Sequence, residues 1–435
     1  MSTPEADALE RALRARPLPA PLPAELAGEF VWPAYDGHSL VNVPATLGRI
    51  LGVSLQRCAP PLAALYWRSW AADVRRVVVV LLDALGYLQL RQMLEQFPTC
   101  LWARLAAQGL LLPMTSIFPS TTSTALATLL TGAEPIAHGL LGYELWLREY
   151  GVLTEMLSLK PAYGTGQETL LQWGLVPESF LPVPSLGEML AQAGVSFTAL
   201  VPAPFLRGGL TRMCYRQVQR LIGYNGLESL WALARNAVEQ ERSERSLFFL
   251  YWGGIDGAIH DHGSGEGAWV HQFQLVTQAC ETLFLAHLSP EIRRETLLIM
   301  LADHGFVDSP AELAHDTDAD PVFRARALIP FSGESRAAYL FSASGPGESA
   351  SLAFRQTLGD RFVVLRSRDA IQAGLFGLGK PSPQALARLG HFLVIPRGLH
   401  YLDRQNKRNI LRGRHGGLSP EEMLVPWLAV RLDSL

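Results

Sequence analysis

Residues 77–83 read VVVVLLD, residues 247–256 read LFFLYWGGID, and residues 297–304 read LLIMLADH. Each opens with a run of β-branched, aliphatic or aromatic residues in which polar positions do not alternate, the pattern of a strand buried on both faces. Each run is followed by an acid: Asp83, Asp256 and Asp303. A fourth run, FTALV at 197–201, follows the helix-like SLGEMLAQAG at 185–194. Short buried runs alternating with longer segments of helical period predict an α/β fold. We expect a three-layer α/β/α sandwich around a largely parallel central sheet.

Outward from these strands the texture changes. Residues 5–15 have the pattern of a short amphipathic helix, and PLPAPLPAEL at 17–26 is a stiff, proline-rich connector. The stretch 311–404 holds DTDADP, SASGPGESAS and GLGKPSP beside strand-like AAYLFS and RFVVLR, as expected of a smaller α+β cap insertion. The expected division is therefore 1–40 for the helix and connector, 41–310 for the core, 311–404 for the cap, and 405–435 for the return to the core.

With 435 residues, 49% of them apolar and 18% charged, the chain can bury a large core and is unlike a disordered protein. A formal charge of -3 gives no basic field for polymeric nucleic acid. Cys58, Cys100, Cys214 and Cys280 are scattered without metal-type spacing and read as reduced thiols. The first residues lack the apolar core of a signal peptide, and no run is long enough to span a membrane, so the expected location is the cytoplasm.

In an open parallel sheet, ligands bind beyond the carboxyl ends of the strands, so Asp83, Asp256 and Asp303 should meet in one crevice. Three unpaired carboxylates in one place repel, and divalent cations relieve the repulsion. Taken singly, each acid reads as a helix N-cap. Histidines change the balance: His260 follows Asp256 by four residues, His304 follows Asp303 directly, and His415 lies in the glycine-bounded GRHGG. A donor set of nitrogen and oxygen favours zinc or manganese over magnesium or calcium.

A nucleophile is expected in FPSTTSTALATLLTG at 118–132, where hydroxyl residues precede a helix. Threonine there is an ordinary N-cap, yet the same helix start favours a phosphate or an anionic oxygen. Residue chemistry does not choose among Ser120, Thr121, Thr122, Ser123 and Thr124.

The order LLDALG, FPSTTSTALATLLTG, IDGAIHDHG, LADHG and GRHGG resembles the alkaline phosphatase superfamily, and within it the type I phosphodiesterase/nucleotide pyrophosphatase branch. The resemblance implies a phosphoester hydrolase with two metal ions, usually zinc, bridged by a threonine or serine nucleophile. It implies Asp83, Asp303 and His304 as ligands of one ion, and Asp256, His260 and His415 as ligands of the other. Pro119-Ser120-Thr121-Thr122 aligns the nucleophile, which also touches metal, with Thr122. A small-molecule phosphodiester cleaved through a phosphothreonine intermediate is the implied reaction. The rival readings are a phosphomonoesterase or phosphate-transferring mutase on the same fold, and a catalytically silent metal-dependent binding protein.

This chain also departs from the branch. Ser123, Thr124 and Ala125 replace a Phe-Pro-Asn-like run, and Gly142-Tyr143-Glu144 replaces a phosphate-contacting asparagine. Tyr143 is the candidate substitute donor, with packing as its alternative. These changes bear on nucleotide preference rather than on the metal ligands. His138 reads as a turn residue, and His262 and His271 as solvent-facing. Asp316, Asp318 and Asp320 lack the rest of a calcium loop and read as a solvated loop. Arg324, Arg326 and Arg336 read as surface ion pairs with a possible substrate contact, and Arg414 adjoins His415.

Overall fold

The computed structural model describes residues 3–164, 166, 168–265, 267–404 and 411–434. Seven strands make the main sheet: β1 (Arg76–Leu82), β2 (Leu110–Thr115), β3 (Ser196–Pro202), β4 (Arg220–Tyr224), β5 (Ser246–Trp252), β6 (Thr296–Leu301) and β7 (Leu424–Arg431). Their spatial order is β2-β7-β6-β1-β5-β3-β4. The five strands from β6 to β4 are parallel, and β7 runs antiparallel to both β6 and β2. Every residue of β1 and β6 is buried. Their unbroken apolar runs therefore meet covering layers on both faces, as in an α/β/α sandwich.

Two strands of this sheet carry weak local signals. In β2 the run is interrupted by Pro113, a residue that sheets accept at an edge, and β2 is the edge strand. At the other edge lies β4, only five residues long and containing Gly223.

A second, antiparallel sheet runs in the order Phe362–Arg366, Phe392–Pro396, Ala337–Leu340, Ser332–Glu334, Glu144–Leu147, Val152–Glu155, Lys160–Pro161. It has its own small core, including Phe323, Phe331, Leu340, Phe354, Phe362 and Phe392. Residues 144–161 thus join strands that lie almost two hundred positions later in the chain. The join is a narrow one, with Gly333 opposite Glu144, and a buried ion pair between Arg404 and Glu144 braces it at 2.5 Å. Such non-local pairing leaves no local pattern to read. The opening of the expected return segment, 405–410, lies outside the described residues, whereas its later part supplies His415 and β7. No helix among the described residues is long and apolar enough to cross a membrane.

Candidate active site

Strand register brings the acids together. Leu81 stands level with Tyr251 on one side and Leu301 on the other. Asp83 and Asp303 each lie two residues beyond that level, so they sit side by side at the carboxyl end of the sheet. After β5 the chain turns into the helix Gly254–His262, which carries Asp256 and His260 one turn apart on one face. His415 follows the short strand Gly413–Arg414, which pairs with Val307–Asp308 just past His304. Thr122 is the first residue of the helix Thr122–Leu129. Ser120, two residues earlier, bridges to Gly416 and donates from Oγ to the Gly417 carbonyl at 2.8 Å. These ties place the hydroxyl loop against the His415 loop.

Two trios result, Asp83–Asp303–His304 and Asp256–His260–His415, and within each one the ligating atoms lie within 4.8 Å of one another. In the first, His304 Nε2 is 3.4 Å from Asp83 Oδ1 and 3.6 Å from Asp303 Oδ2. In the second, Asp256 lies 3.4 Å from His260 Nε2 and 3.7 Å from His415 Nε2. The His304 and His415 rings stack at 3.8 Å, so the trios are immediate neighbours. Thr122 Oγ1 lies 3.1 Å from His304 Nε2 and 3.4 Å from Asp83 Oδ2. Of the five hydroxyl candidates, Thr122 is the one set against the first trio.

The surroundings suit cation binding. Each histidine directs Nδ1 at a backbone carbonyl: His260 at Gly413, 2.8 Å, His304 at Gly305, 3.0 Å, and His415 at Ser120, 3.1 Å. A carbonyl accepts only, so the ring proton sits on Nδ1 and the Nε2 lone pair is free for a cation. Asp303 Oδ1 accepts from the Ala84 and His304 amides, whereas Asp303 Oδ2 and Asp256 Oδ1 are buried without a hydrogen-bond partner among the described residues. Buried carboxylate oxygens without donors need a positive partner. Ala84 adopts a left-handed φ of 63° although it has a Cβ, and this turns its N–H toward Asp303. Strain of this kind costs roughly 1–2 kcal/mol and is tolerated where the site requires it.

Electrostatics point the same way. Burial, with repulsion from Asp256, pushes the Asp303 carboxyl up to about 7. Burial and repulsion from Asp303 and Asp256 raise Asp83 well above the ordinary range. Burial and the neighbouring His304 and His260 hold His415 well below its usual value. The protein thus assembles carboxyls whose ionisation a nearby positive charge would favour and an imidazole that already resists protonation, a combination suited to a cation.

Two further residues join the site. The Tyr251 hydroxyl donates to Asp83 Oδ2 at 2.5 Å; its signal in sequence is a polar-tipped aromatic near the end of an otherwise apolar strand. Glu334 arrives from the second sheet and accepts from the Tyr143 amide at 2.8 Å. No local motif marks it.

Thr122 borders two cavities. One, of about 270 Å³, is polar and includes Tyr143, Asp256, His260, Glu334, Arg414 and His415 in its wall. The other, of about 80 Å³, is apolar and is lined by residues such as Leu126, Leu157, Val201, Phe205 and Tyr251. Tyr143 therefore faces the polar cavity.

The remaining sequence candidates lie elsewhere. His138 is buried in a turn, with Nε2 3.0 Å from the Thr128 hydroxyl and Nδ1 accepting from the Leu140 amide. His262 and His271 are exposed, and Asp320 caps the helix Pro321–Arg326. Arg324 is exposed. Arg336 is the exception to its surface reading: it is 1% exposed and paired bidentately with Glu422 at 2.7 and 2.8 Å. Arg414, by contrast, stands in the wall of the polar cavity, donates to Ser335 and lies over the Tyr401 ring.

Fold and site together define an α/β/α architecture of the alkaline phosphatase kind, with the candidate site at the carboxyl end of its main sheet. The type I phosphodiesterase / nucleotide pyrophosphatase family matches residues 77–416, and the chain belongs to that family of phosphoester hydrolases. No curated protein matches the chain. Among solved structures, murine ectonucleotide pyrophosphatase / phosphodiesterase 5 is similar, with 17% identity, a TM-score of 0.61, and coverage of 81% of this chain and 87% of that one. An inactive threonine-to-alanine variant of the murine protein in complex with AMP gives 16% identity, a TM-score of 0.59, and the same 81% and 87% coverage. Phosphonoacetate hydrolase from Sinorhizobium meliloti, in complex with phosphonoacetate, gives 16% identity, a TM-score of 0.57, and coverage of 81% and 89%. At these identities the structural likeness speaks for the fold.

Proposed function

We propose that this chain is a two-metal phosphodiesterase or pyrophosphatase that acts on small-molecule phosphoesters through a phosphothreonine intermediate at Thr122. The observation carrying this reading is the position of Thr122 Oγ1, 3.1 Å from His304 Nε2 and 3.4 Å from Asp83, beside a second trio stacked against the first. Asp83, Asp303 and His304 would hold one divalent cation beside Thr122 Oγ1, and Asp256, His260 and His415 the other. Mixed nitrogen and oxygen donors make zinc the first candidate and manganese the second. Such cations lower the pKa of a neighbouring hydroxyl and offset charge on a departing oxygen.

The residues divide the remaining work. Thr122 Oγ1 gives its proton to solvent and attacks phosphorus; the phosphorus–oxygen bond to the leaving group breaks, the departing oxygen takes up a proton from water, and the phosphoryl ester rests on Thr122. Water then attacks from the vacated side and frees the threonine, so two inversions give net retention. Tyr251 holds Asp83 by its hydrogen bond, and the positive start of the Thr122 helix favours the anionic phosphoryl group. Tyr143 is a candidate contact for the substrate from the polar cavity.

Two cavities meeting at Thr122 leave room for a substituent on either side of phosphorus, which supports a diester over a monoester. The apolar one suits an aryl, alkyl or base-like group. AMP in the inactive murine variant supports a nucleotide-sized ligand. The test compares bis-(p-nitrophenyl) phosphate with p-nitrophenyl phosphate, using zinc- or manganese-loaded protein. Diester turnover should dominate, and Thr122→Ala should lower it by at least about 10³-fold while metal content holds. Preference for the monoester would move the assignment to a monoesterase. Tight metal without turnover of either would leave a binding protein.

A further inference from the structure

In the run LFFLYW at 247–252, only Tyr251 carries a hydroxyl. Parallel pairing sets it level with Leu81, and Asp83 lies two residues further along, on the same face by strand alternation. The Tyr251 hydroxyl donates to Asp83 Oδ2 at 2.5 Å. Its surroundings hold it there. The Tyr224 hydroxyl anchors the Tyr251 carbonyl at 2.6 Å. Gly253 leaves the phenol its space, since an added Cβ there would lie 2.9 Å from the Tyr251 hydroxyl oxygen.

This bond separates the roles of the two Asp83 oxygens. Oδ2 faces Tyr251, whereas Oδ1 lies 3.4 Å from His304 Nε2. Thr122 Oγ1 does not itself choose between them, being 3.5 Å from Oδ1 and 3.4 Å from Oδ2. Asp303 is divided in the same way. Its Oδ1 accepts from the Ala84 and His304 amides, and its Oδ2, without a hydrogen-bond partner among the described residues, lies 3.6 Å from His304 Nε2. Each carboxylate thus offers one oxygen, and His304 Nε2 completes a set of three donor atoms. A zinc-like cation takes about four ligands, and a catalytic site keeps one place open. Thr122 Oγ1, 3.1 Å from His304 Nε2, stands beside the trio as the fourth donor. Were Asp83 to use both oxygens, carboxylate would fill that place.

Resting on the two-metal reading above, we propose that Tyr251 is a positioning residue: by occupying Asp83 Oδ2, it restricts that carboxylate to one oxygen toward the first cation and keeps the fourth coordination place open for Thr122 Oγ1. Removing the phenol oxygen frees Asp83 Oδ2 to turn onto the cation. The threonine hydroxyl then loses the contact that lowers its pKa.

The test is made on the full chain loaded with zinc. Crystal structures of the parent and of Tyr251→Phe, which keeps the ring and removes the oxygen, read how Asp83 meets the first cation. In the parent we expect one Asp83 oxygen at about 2.0–2.2 Å from zinc, Oδ2 on Tyr251, and Thr122 Oγ1 in the remaining place. In the variant we expect both oxygens on the cation and Thr122 Oγ1 displaced. The same change should lower kcat for bis-(p-nitrophenyl) phosphate by about 10–100-fold, with KM little altered and zinc content unchanged. A merely structural tyrosine would instead lower thermal stability or zinc content and leave Asp83 on one oxygen in the variant. Two Asp83 oxygens on the cation in the parent, or one in Tyr251→Phe whatever its kcat, overturns the proposal. Should Tyr251→Phe not fold, the parent structure decides alone. Thr122→Ala runs in parallel: turnover there sinks the nucleophile assignment, whereas an inactive Thr122→Ala beside a fully active Tyr251→Phe sinks this proposal alone.

Discussion

Asp303 and Asp83 share a buried corner with Asp256 close by, and their carboxyls are raised, Asp303 to about 7, chiefly by burial and then by mutual repulsion. A carboxyl raised in the folded state is charged more easily in the unfolded chain. Between the ordinary value near 4 and about 7, the folded state therefore binds more protons, and stability falls as pH rises through that window. For metal-stripped protein we expect Tm to drop between pH 4 and pH 7, measured by thermal melts in chelator. Bound cations favour the charged carboxylates, so metal-loaded protein should lose this drop, and the gap between the two curves should widen toward pH 7. Parallel curves would mean that the carboxylates do not meet the metal.

Within the segments that carry these residues, close backbone approach decides which substitutions are tolerated. Gly305 follows the Asp303-His304 pair directly. A Cβ added there would lie 2.0 Å from the Glu421 carbonyl oxygen, a collision with backbone rather than with a movable side chain. Gly305→Ala should therefore displace the His304 turn and destabilise by roughly 1–3 kcal/mol or more. Urea denaturation checks the stability, and metal content should fall with it. His304 itself was legible as a candidate because it adjoins Asp303 after an apolar strand. The need for glycine next to it was not, since the obstructing carbonyl belongs to a residue more than a hundred positions away.

The two sheets are held to one another partly by charge. Arg336, ahead of the Ala337–Leu340 strand, pairs with Glu422 in full burial, and Glu422 also accepts from the Gly417 amide at 2.8 Å. Removing one partner leaves the other charged and dry. Arg336→Ala should cost about 3–5 kcal/mol and, through Gly417 and the Ser120 hydroxyl bonded to its carbonyl, loosen the nucleophile loop. Chemical denaturation reads the first effect. Replacing both partners, Arg336→Met with Glu422→Leu, should cost much less than the single change, because an apolar pair leaves no stranded charge.

Central strands, and the acids, DH and GRH groups beyond them, were legible locally, because a doubly buried strand must be apolar throughout and an open parallel sheet binds its ligands beyond the carboxyl ends of its strands. That rule alone makes the acidic residues after 77–82, 247–252 and 297–301 candidates for one crevice. Which hydroxyl of five faces the first trio was named only through the family resemblance; its placement, the presence of Tyr251 and Glu334 in the site, and the pairing of residues 144–161 with residues 332–334 all depend on register between distant strands. Register is a matter of packing and pairing across space, and contacts separated by hundreds of residues leave no periodicity in the chain to be read.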